Sequence, residues 1–287
     1  MQTQRIDLYK YFNIERKDGY AGYLNATIYS ESNYYPTRKR PAIIVVAGGG
    51  YSEICEREGE PIAMAYLGNG YNAFTLEYSI SPKTYPAQLI EGCMAIAYLK
   101  LNAQSLGIKE NCVAICGFSA GGHLSAMTAT MFNQQPVLDA LKDKAVFARP
   151  DAVVLGYSVI SNGEFKHTRS LDNISGGKED IKQLLSLEDR VTKNSSPAFI
   201  WTTVNDDRVP CENSFLYALA CRKNGVPFEF HAYEDGHHGL GLARKTTATP
   251  LGRVLGSTIE EYVRKDVATW FEMSLTWLKK RGFEIVD

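Results

Sequence analysis

No apolar run in this sequence approaches the roughly 20 residues that a membrane-spanning helix needs. The best candidate, Ala42 to Ala47, is the length of one strand. The N-terminus, MQTQRIDLYKYFNIERKDGY, alternates polar and aromatic residues. It lacks the basic, apolar and small-residue regions of a signal peptide, so a cytoplasmic location and no membrane partner are expected. There is also no Lys/Arg-rich block and no DNA- or RNA-reading motif. With 31 basic and 32 acidic residues the formal charge is −1, which predicts no nucleic-acid partner and a small substrate without strong charge. The spacing of possible ligands is equally uninformative for a metal: no CxxC and no HExxH occurs.

Six cysteines are present, but their positions argue against disulfides. Cys112 and Cys116 lie in one strand-like run, roughly 13 Å apart at about 3.3 Å per residue, beyond the ~7 Å reach of a disulfide. Cys211 and Cys221 lie ten positions apart on a helix-like stretch, about 15 Å at 1.5 Å per residue. Reduced, mostly buried thiols are expected.

A chain of 287 residues with 45% hydrophobic content can bury a large core. Strand-like runs recur at Ala42–Ala47, Asn72–Glu77, Cys112–Cys116, Ala152–Leu155, Ala198–Thr203 and Phe228–Ala232. Helical stretches alternate with them at about 86–105, 120–132, 211–224 and 258–281. Alternation of this kind predicts an α/β fold with a mostly parallel sheet covered on both faces. Several of the runs are continuously apolar and β-branched, as strands buried on both faces require. No repeat, linker or composition shift divides residues 1–287, so one domain is expected. Residues 157–196 break the rhythm with polar turns and one short helix near 178–186. At forty residues they read as a cap-like insertion rather than a plain connection. A second irregular loop covers about 239–256.

Gly117-Phe118-Ser119-Ala120-Gly121 joins a strand to a helix, which is the context a nucleophile elbow requires. Gly117 to Gly122 has P-loop-like glycine spacing, but His123-Leu124 stands where Lys-Ser/Thr would be needed. A serine nucleophile needs a base, usually a histidine held by a carboxylate. His123 sits on the elbow helix, His167 in the insertion and His231 in a strand, where packing roles are the default. His237 and His238 follow the last strand. Asp206 and Asp207 follow AFIWTT, at a strand end facing the crevice of such sheets. Spacing alone leaves both pairs open, while the order Ser…Asp…His is that of the α/β-hydrolases. Gly48-Gly49-Gly50 after the first apolar strand offers bare backbone N–H groups for an oxyanion hole, with the N–H of Ala120 as the second donor.

Together, AGGGY…EGEPIA, YPAQL, GFSAGGHL, NDDRVP-ENS and GHHGLGLA resemble the bacterial acetylxylan-esterase-like and hormone-sensitive-lipase-like carboxylesterases over about residues 40–282. The resemblance implies an α/β-hydrolase fold and a Ser119, Asp206, His238 triad. In that family the acid lies in D-x-x-V-P and the base in G-x-H-G. It also implies hydrolysis of short acyl esters, often acetyl groups on sugars, without metal or organic cofactor. The lipase-like pattern begins His-Gly-Gly-Gly; Ala47 replaces that histidine here, leaving Gly49 and Gly50 as the assigned hole residues. Glu58-Gly59-Glu60-Pro61 resembles a motif at the mouth of such sites, and reads equally well as a helix start. The rival readings are a serine amidase or peptidase, such as an arylformamidase, and a non-catalytic hydrolase-like binding protein.

Overall fold

The computed structural model describes residues 1–30, 37–248 and 259–286. Eight strands form a single sheet: β1 (Gln2–Asp7), β2 (Tyr23–Ile28), β3 (Arg40–Val46), β4 (Asn72–Glu77), β5 (Ile108–Phe118), β6 (Ala152–Gly156), β7 (Ala198–Thr203) and β8 (Phe228–Tyr233). Their spatial order is β1-β2-β4-β3-β5-β6-β7-β8. Strands β3 to β8 are all parallel, and β1 and β2 add an antiparallel edge. The helices are α1 (Leu8–Phe12), α2 (Glu60–Gly68), α3 (Ala87–Leu101), α4 (Ser119–Met131), α5 (Gln135–Leu141), α6 (Thr168–Ser175), α7 (Glu179–Leu184), α8 (Glu212–Lys223) and α9 (Thr269–Lys279).

The continuous apolar runs make sense once the pleat is applied, because successive side chains leave a strand on opposite faces. Ile44, Val46, Ile115 and Leu155 enter one core with Leu89 and Met94 of α3 and Leu124 of α4. Their neighbours Ile43, Val45, Ala114, Cys116 and Val154 enter the other, with Tyr66 of α2 and Trp270, Phe271 and Trp277 of α9. Each central strand therefore serves two cores.

The structure departs from the sequence expectations at the two ends of the chain. Strands β1 and β2 were not expected. β1 is exposed along most of its length, so it carries no apolar run, and β2 buries only alternate residues. The helix expected near 258–281 begins only at Thr269, after a short 3-10 turn at 259–262; position 258 lies outside the described residues, as does 249–256 of the second loop. Residues 157–196 hold two helices, α6 as well as the expected short one, α7. All six cysteines are free, and all but Cys55 are buried. Among the described residues, no helix is long and apolar enough to cross a membrane.

Candidate active site

The C-terminal ends of β3, β5, β7 and β8 converge, as they must in a parallel sheet, and each carries one part of the site. Ser119 sits where β5 turns into α4, with φ at +53°, a conformation costly for a residue with a Cβ. The flanking glycines are explained by steric exclusion. A Cβ on Gly117 would lie 2.2 Å from the carbonyl oxygen of Gly121, and one on Gly121 would lie 2.2 Å from that of Val46. The turn is possible only because strand and helix touch backbone to backbone. Ser119 thereby stands at the N-terminus of a 13-residue helix, whose dipole favours negative charge.

His238, beyond β8, has its Nε2 2.9 Å from Ser119 Oγ, and its Nδ1 2.8 Å from Asp206 Oδ2. An ionised carboxylate can only accept, so Nδ1–H donates to Asp206, leaving Nε2 to accept from the serine hydroxyl. The other oxygen of Asp206 accepts the N–H groups of Arg208 and Val209, both at 2.9 Å, which fixes the acid in the loop after β7. Asp207 is spent differently: its Oδ1 accepts the backbone N–H of His238 at 3.0 Å. Burial raises the Asp207 pKa, but the His238 N–H, its own N–H and Arg208 outweigh that and hold it below the usual range. His237 points away, half-exposed, toward Glu261 and Tyr262. Of the two ambiguous pairs, then, the structure joins Asp206 and His238 to Ser119.

The remaining histidines divide. His123 is fully buried, and desolvation lowers its pKa to about 4. As a neutral ring it donates from Nε2 to the carbonyl of Leu185 (3.0 Å) and accepts at Nδ1 from Tyr51 (2.8 Å). It thus bolts the elbow helix to both the glycine loop and the insertion. His231 pairs with Glu229. His167, by contrast, lines the cleft with Ser119, a place its sequence context did not suggest.

That cleft has a volume of about 90 Å³. Gly49 (φ +126°) and Gly50 (φ +63°) line it, and a Cβ on Gly49 would lie 2.1 Å from the Glu53 carbonyl oxygen. The N–H groups of Gly49, Gly50 and Ala120 meet no acceptor among the described residues, whereas that of Gly48 is taken by Glu58 Oε2 at 2.9 Å. Ala120 itself is fully buried, directly after Ser119. A wider cavity of about 870 Å³ lies toward β2 and β4, but neither Ser119 nor His238 lines it.

Sequence reasoning placed Glu58 near the mouth of the site by resemblance alone, without its partners, and missed Tyr157. Glu58 is buried at the cleft; its second oxygen accepts from Tyr157 Oη at 2.8 Å. Tyr157 Oη in turn accepts the N–H of Gly241 at 3.0 Å, and its ring packs edge-on against His238 at 4.9 Å between centroids. Burial, then the Glu58 charge, pushes the Tyr157 phenol well up, so it stays a donor. Arg57 Nε completes the frame by donating to the Gly239 carbonyl at 2.8 Å. One carboxylate thus links the glycine loop to the loop carrying His238. Both readings of Glu58-Gly59-Glu60-Pro61 hold, divided by residue: Glu58 reaches the site, while Glu60 and Pro61 begin α2. Cys55 also lines the cleft, but burial and Glu58 push its thiol up to about 12, so it remains protonated.

The insertion forms the remaining wall. Asn173 donates to the Gly50 carbonyl at 2.8 Å, Arg169 Nη2 to Ser52 Oγ at 2.8 Å, and His167 Nδ1 lies 2.7 Å from Ser170 Oγ. Among the described residues, no group of three or more His, Cys, Asp or Glu is placed to hold a metal ion.

A family model described as BD-FAE matches residues 28–220. Over 239 residues the chain is 34% identical to endo-1,4-beta-xylanase B of Butyrivibrio fibrisolvens, covering 81% of this chain and 36% of that protein. It is 32% identical to the acetylxylan esterase of Xylanibacter ruminicola, covering 70% of this chain and 41% of the relative. The chain therefore spans well under half the length of these two curated relatives. Among solved structures, an acetyl ester-xyloside bifunctional hydrolase from Caldicellulosiruptor lactoaceticus is 34% identical with a TM-score of 0.75, covering 91% of this chain and 89% of that one.

Proposed function

Because the chain belongs to the BD-FAE family and has the α/β-hydrolase fold, we propose that it is a serine carboxylesterase acting on short acyl esters, with acetylated saccharides as its substrate class. The observation that carries this reading is the unbroken hydrogen-bonded line from Ser119 through His238 to Asp206. A serine hydroxyl becomes a useful nucleophile only when its proton has somewhere to go as it attacks. In the proposed reaction Ser119 Oγ adds to the ester carbonyl while His238 Nε2 takes the proton. Asp206 keeps the ring in the reactive tautomer and stabilises the imidazolium. The unpartnered N–H groups of Gly49, Gly50 and Ala120 are the donors available to the oxyanion, each donor so used contributing about 3 kcal/mol in a dry site. The imidazolium then protonates the leaving alcohol, and a water activated by His238 releases the acid and regenerates the serine.

The cleft at Ser119, about 90 Å³ beside the 870 Å³ cavity toward β2 and β4, favours a short acyl group over a long chain. The saccharide alcohol is inferred from the relatives, two of whose names include acetylxylan or acetyl ester-xyloside. Ser119→Ala is expected to reduce turnover of p-nitrophenyl acetate by roughly 10⁵-fold or more, and unchanged turnover would sink the assignment. A series of p-nitrophenyl esters from two to twelve carbons, beside acetylated xylo-oligosaccharides and an acetanilide, tests chain length, alcohol and ester-over-amide preference together.

A further inference from the structure

Two cations at the mouth of the Ser119 cleft are unused by the proposed ester chemistry. Arg169 and Arg208 both line the cleft, both are exposed, and neither forms an ion pair among the described residues. Arg169 makes one hydrogen bond, to the neutral Ser52 hydroxyl, and its Nε lies 3.8 Å from where a Cβ on Gly50 would be. Arg208 donates its backbone N–H to Asp206, and its guanidinium, whose charge lowers the Asp207 pKa, makes no hydrogen bond or ion pair among the described residues. Arg57, also in the wall, is fixed to the Gly239 carbonyl and ion-paired with Glu58 at 3.9 Å. Of the two carboxylates that line the same cleft, Glu58 is buried and engaged by Gly48 and Tyr157, which leaves only Glu53 exposed. Two guanidiniums without an ion pair among the described residues thus stand at the mouth against one exposed lining carboxylate, Glu53, with Asp206 and Asp207 preceding Arg208 in its loop. His167 lines the same cleft; burial first, then the neighbouring His238 and Arg169, lower its pKa against an opposing contribution from Asp206.

Resting on the esterase reading, we propose that the preferred substrate carries a carboxylate on its alcohol side, held at the cleft mouth by Arg169 and Arg208. The planar guanidinium fork suits a carboxylate, which it can engage through two parallel hydrogen bonds. The alcohol side is indicated by His238, which protonates the leaving alcohol. Arg208 donates its backbone N–H to the carboxylate that holds His238, and Arg169 and His167 line the same cleft, which puts the guanidiniums on that side. A whole-molecule charge near zero predicts a substrate without strong charge; the local grouping of guanidiniums adds the preference for a single carboxylate at this one site.

The test compares a carboxylated aryl acetate, 4-acetoxybenzoate, with its neutral methyl ester, in the full chain and in Arg169→Gln, Arg208→Gln and the double variant. The quantity read is the ratio of kcat/KM for the anionic over the neutral ester, which cancels any general change in the enzyme. A second pair, mono-4-nitrophenyl succinate and 4-nitrophenyl butyrate, places the charge on the acyl side instead. The ratio for the alcohol-side pair is expected to fall about tenfold in the double variant, and by a smaller factor in each single one. A ratio unchanged by the substitutions, with both esters hydrolysed, overturns the proposal and leaves the esterase reading standing. A fall confined to the succinate pair overturns the alcohol-side placement. Failure of the full chain to hydrolyse any of the four esters overturns the esterase reading instead.

Discussion

Around Ser119 the backbone is shaped by its own sequence neighbours, whereas the rest of the cleft is assembled from segments remote in the chain. At the elbow, Gly117 and Gly121 are required by contacts with backbone atoms, which no rotamer change can relieve. Opposite it, Glu58, Tyr157, His167 and Arg169 come from the turn before α2, the end of β6 and the insertion. No short sequence pattern connects them. The first region is specified by steric exclusion over five residues, the second by side chains meeting through space. A pentapeptide can therefore announce an elbow, while the surface that chooses a substrate stays silent until the chain is folded.

The largest expected effect lies on the line joining the two regions. Asp206→Asn removes the acceptor that holds the His238 tautomer, and kcat for p-nitrophenyl acetate should drop about 10⁴-fold with little change in KM. A drop below tenfold would mean that the hydrogen-bonded line is not the catalytic one. Next, Gly121→Ala tests whether the elbow is set by sterics. A methyl group there meets two carbonyl oxygens, of Val46 and Ala47, at 2.2 and 2.4 Å. The chemical-denaturation midpoint should fall by the equivalent of about 3 kcal/mol, and a neutral result would refute steric exclusion as the reason for that glycine.

Titration separates a residue on the elbow helix from one on its neighbour, α3. His123, lowered from 6.5 to about 4, is neutral in the fold and protonates more readily once unfolded. Its contribution to stability is complete above about pH 6.5, shrinks as pH falls, and is gone below about 4. Glu91, raised by burial from 4.5 to about 7 against the hydrogen bonds from Ser79, acts in reverse, its contribution being complete below about pH 4.5 and lost as pH rises through 7. Each shift corresponds to about 3 kcal/mol, so between pH 4.5 and 6.5 the two slopes oppose one another. Glu91→Gln should leave a protein that loses stability on acidification through that window; His123→Gln should leave one that gains it. Denaturant midpoints at pH 4.5, 5.5 and 6.5 give both slopes, and identical slopes in the two variants would contradict the opposition.

The smallest effect is expected at the assembled wall. Tyr157→Phe withdraws one donor from buried Glu58 and one acceptor from Gly241, loosening the link between glycine loop and His238 loop. A loss of about 10-fold in kcat corresponds to one such hydrogen bond to a charged group. KM should move less than kcat, since oxyanion donors act on the transition state. A change carried wholly by KM would place Tyr157 in substrate binding instead.

Several features were legible before any coordinates. The apolar β-branched runs from Ala42 to Ala47 and from Ala198 to Thr203 have one stable destination, a strand covered on both faces. The strand-turn-helix around Ser119 follows from its glycines. The antiparallel edge was not legible, because a strand exposed along most of β1 has no reason to be hydrophobic. The choice within each ambiguous pair was out of reach of spacing, since adjacent residues differ only in which way they face. Asp207 and His237 have the right chemistry and the wrong direction. Resemblance had favoured Asp206 and His238, and it is these two that the fold places in line with Ser119.

By itself, then, the sequence determined what neighbouring residues can dictate: the buried strands, the strained serine turn, and the order in which serine, acid and base occur. Only the tertiary structure decided which aspartate and which histidine meet that serine, that Glu58 and Tyr157 tie the glycine loop to the His238 loop, and that two arginines with no ion pair among the described residues line the opening. The division has a physical cause. Backbone sterics and burial act over a few residues or one strand, whereas a hydrogen bond between residues 58 and 157, or a pair of guanidiniums at one cleft mouth, exists only once distant segments are brought within a few ångströms.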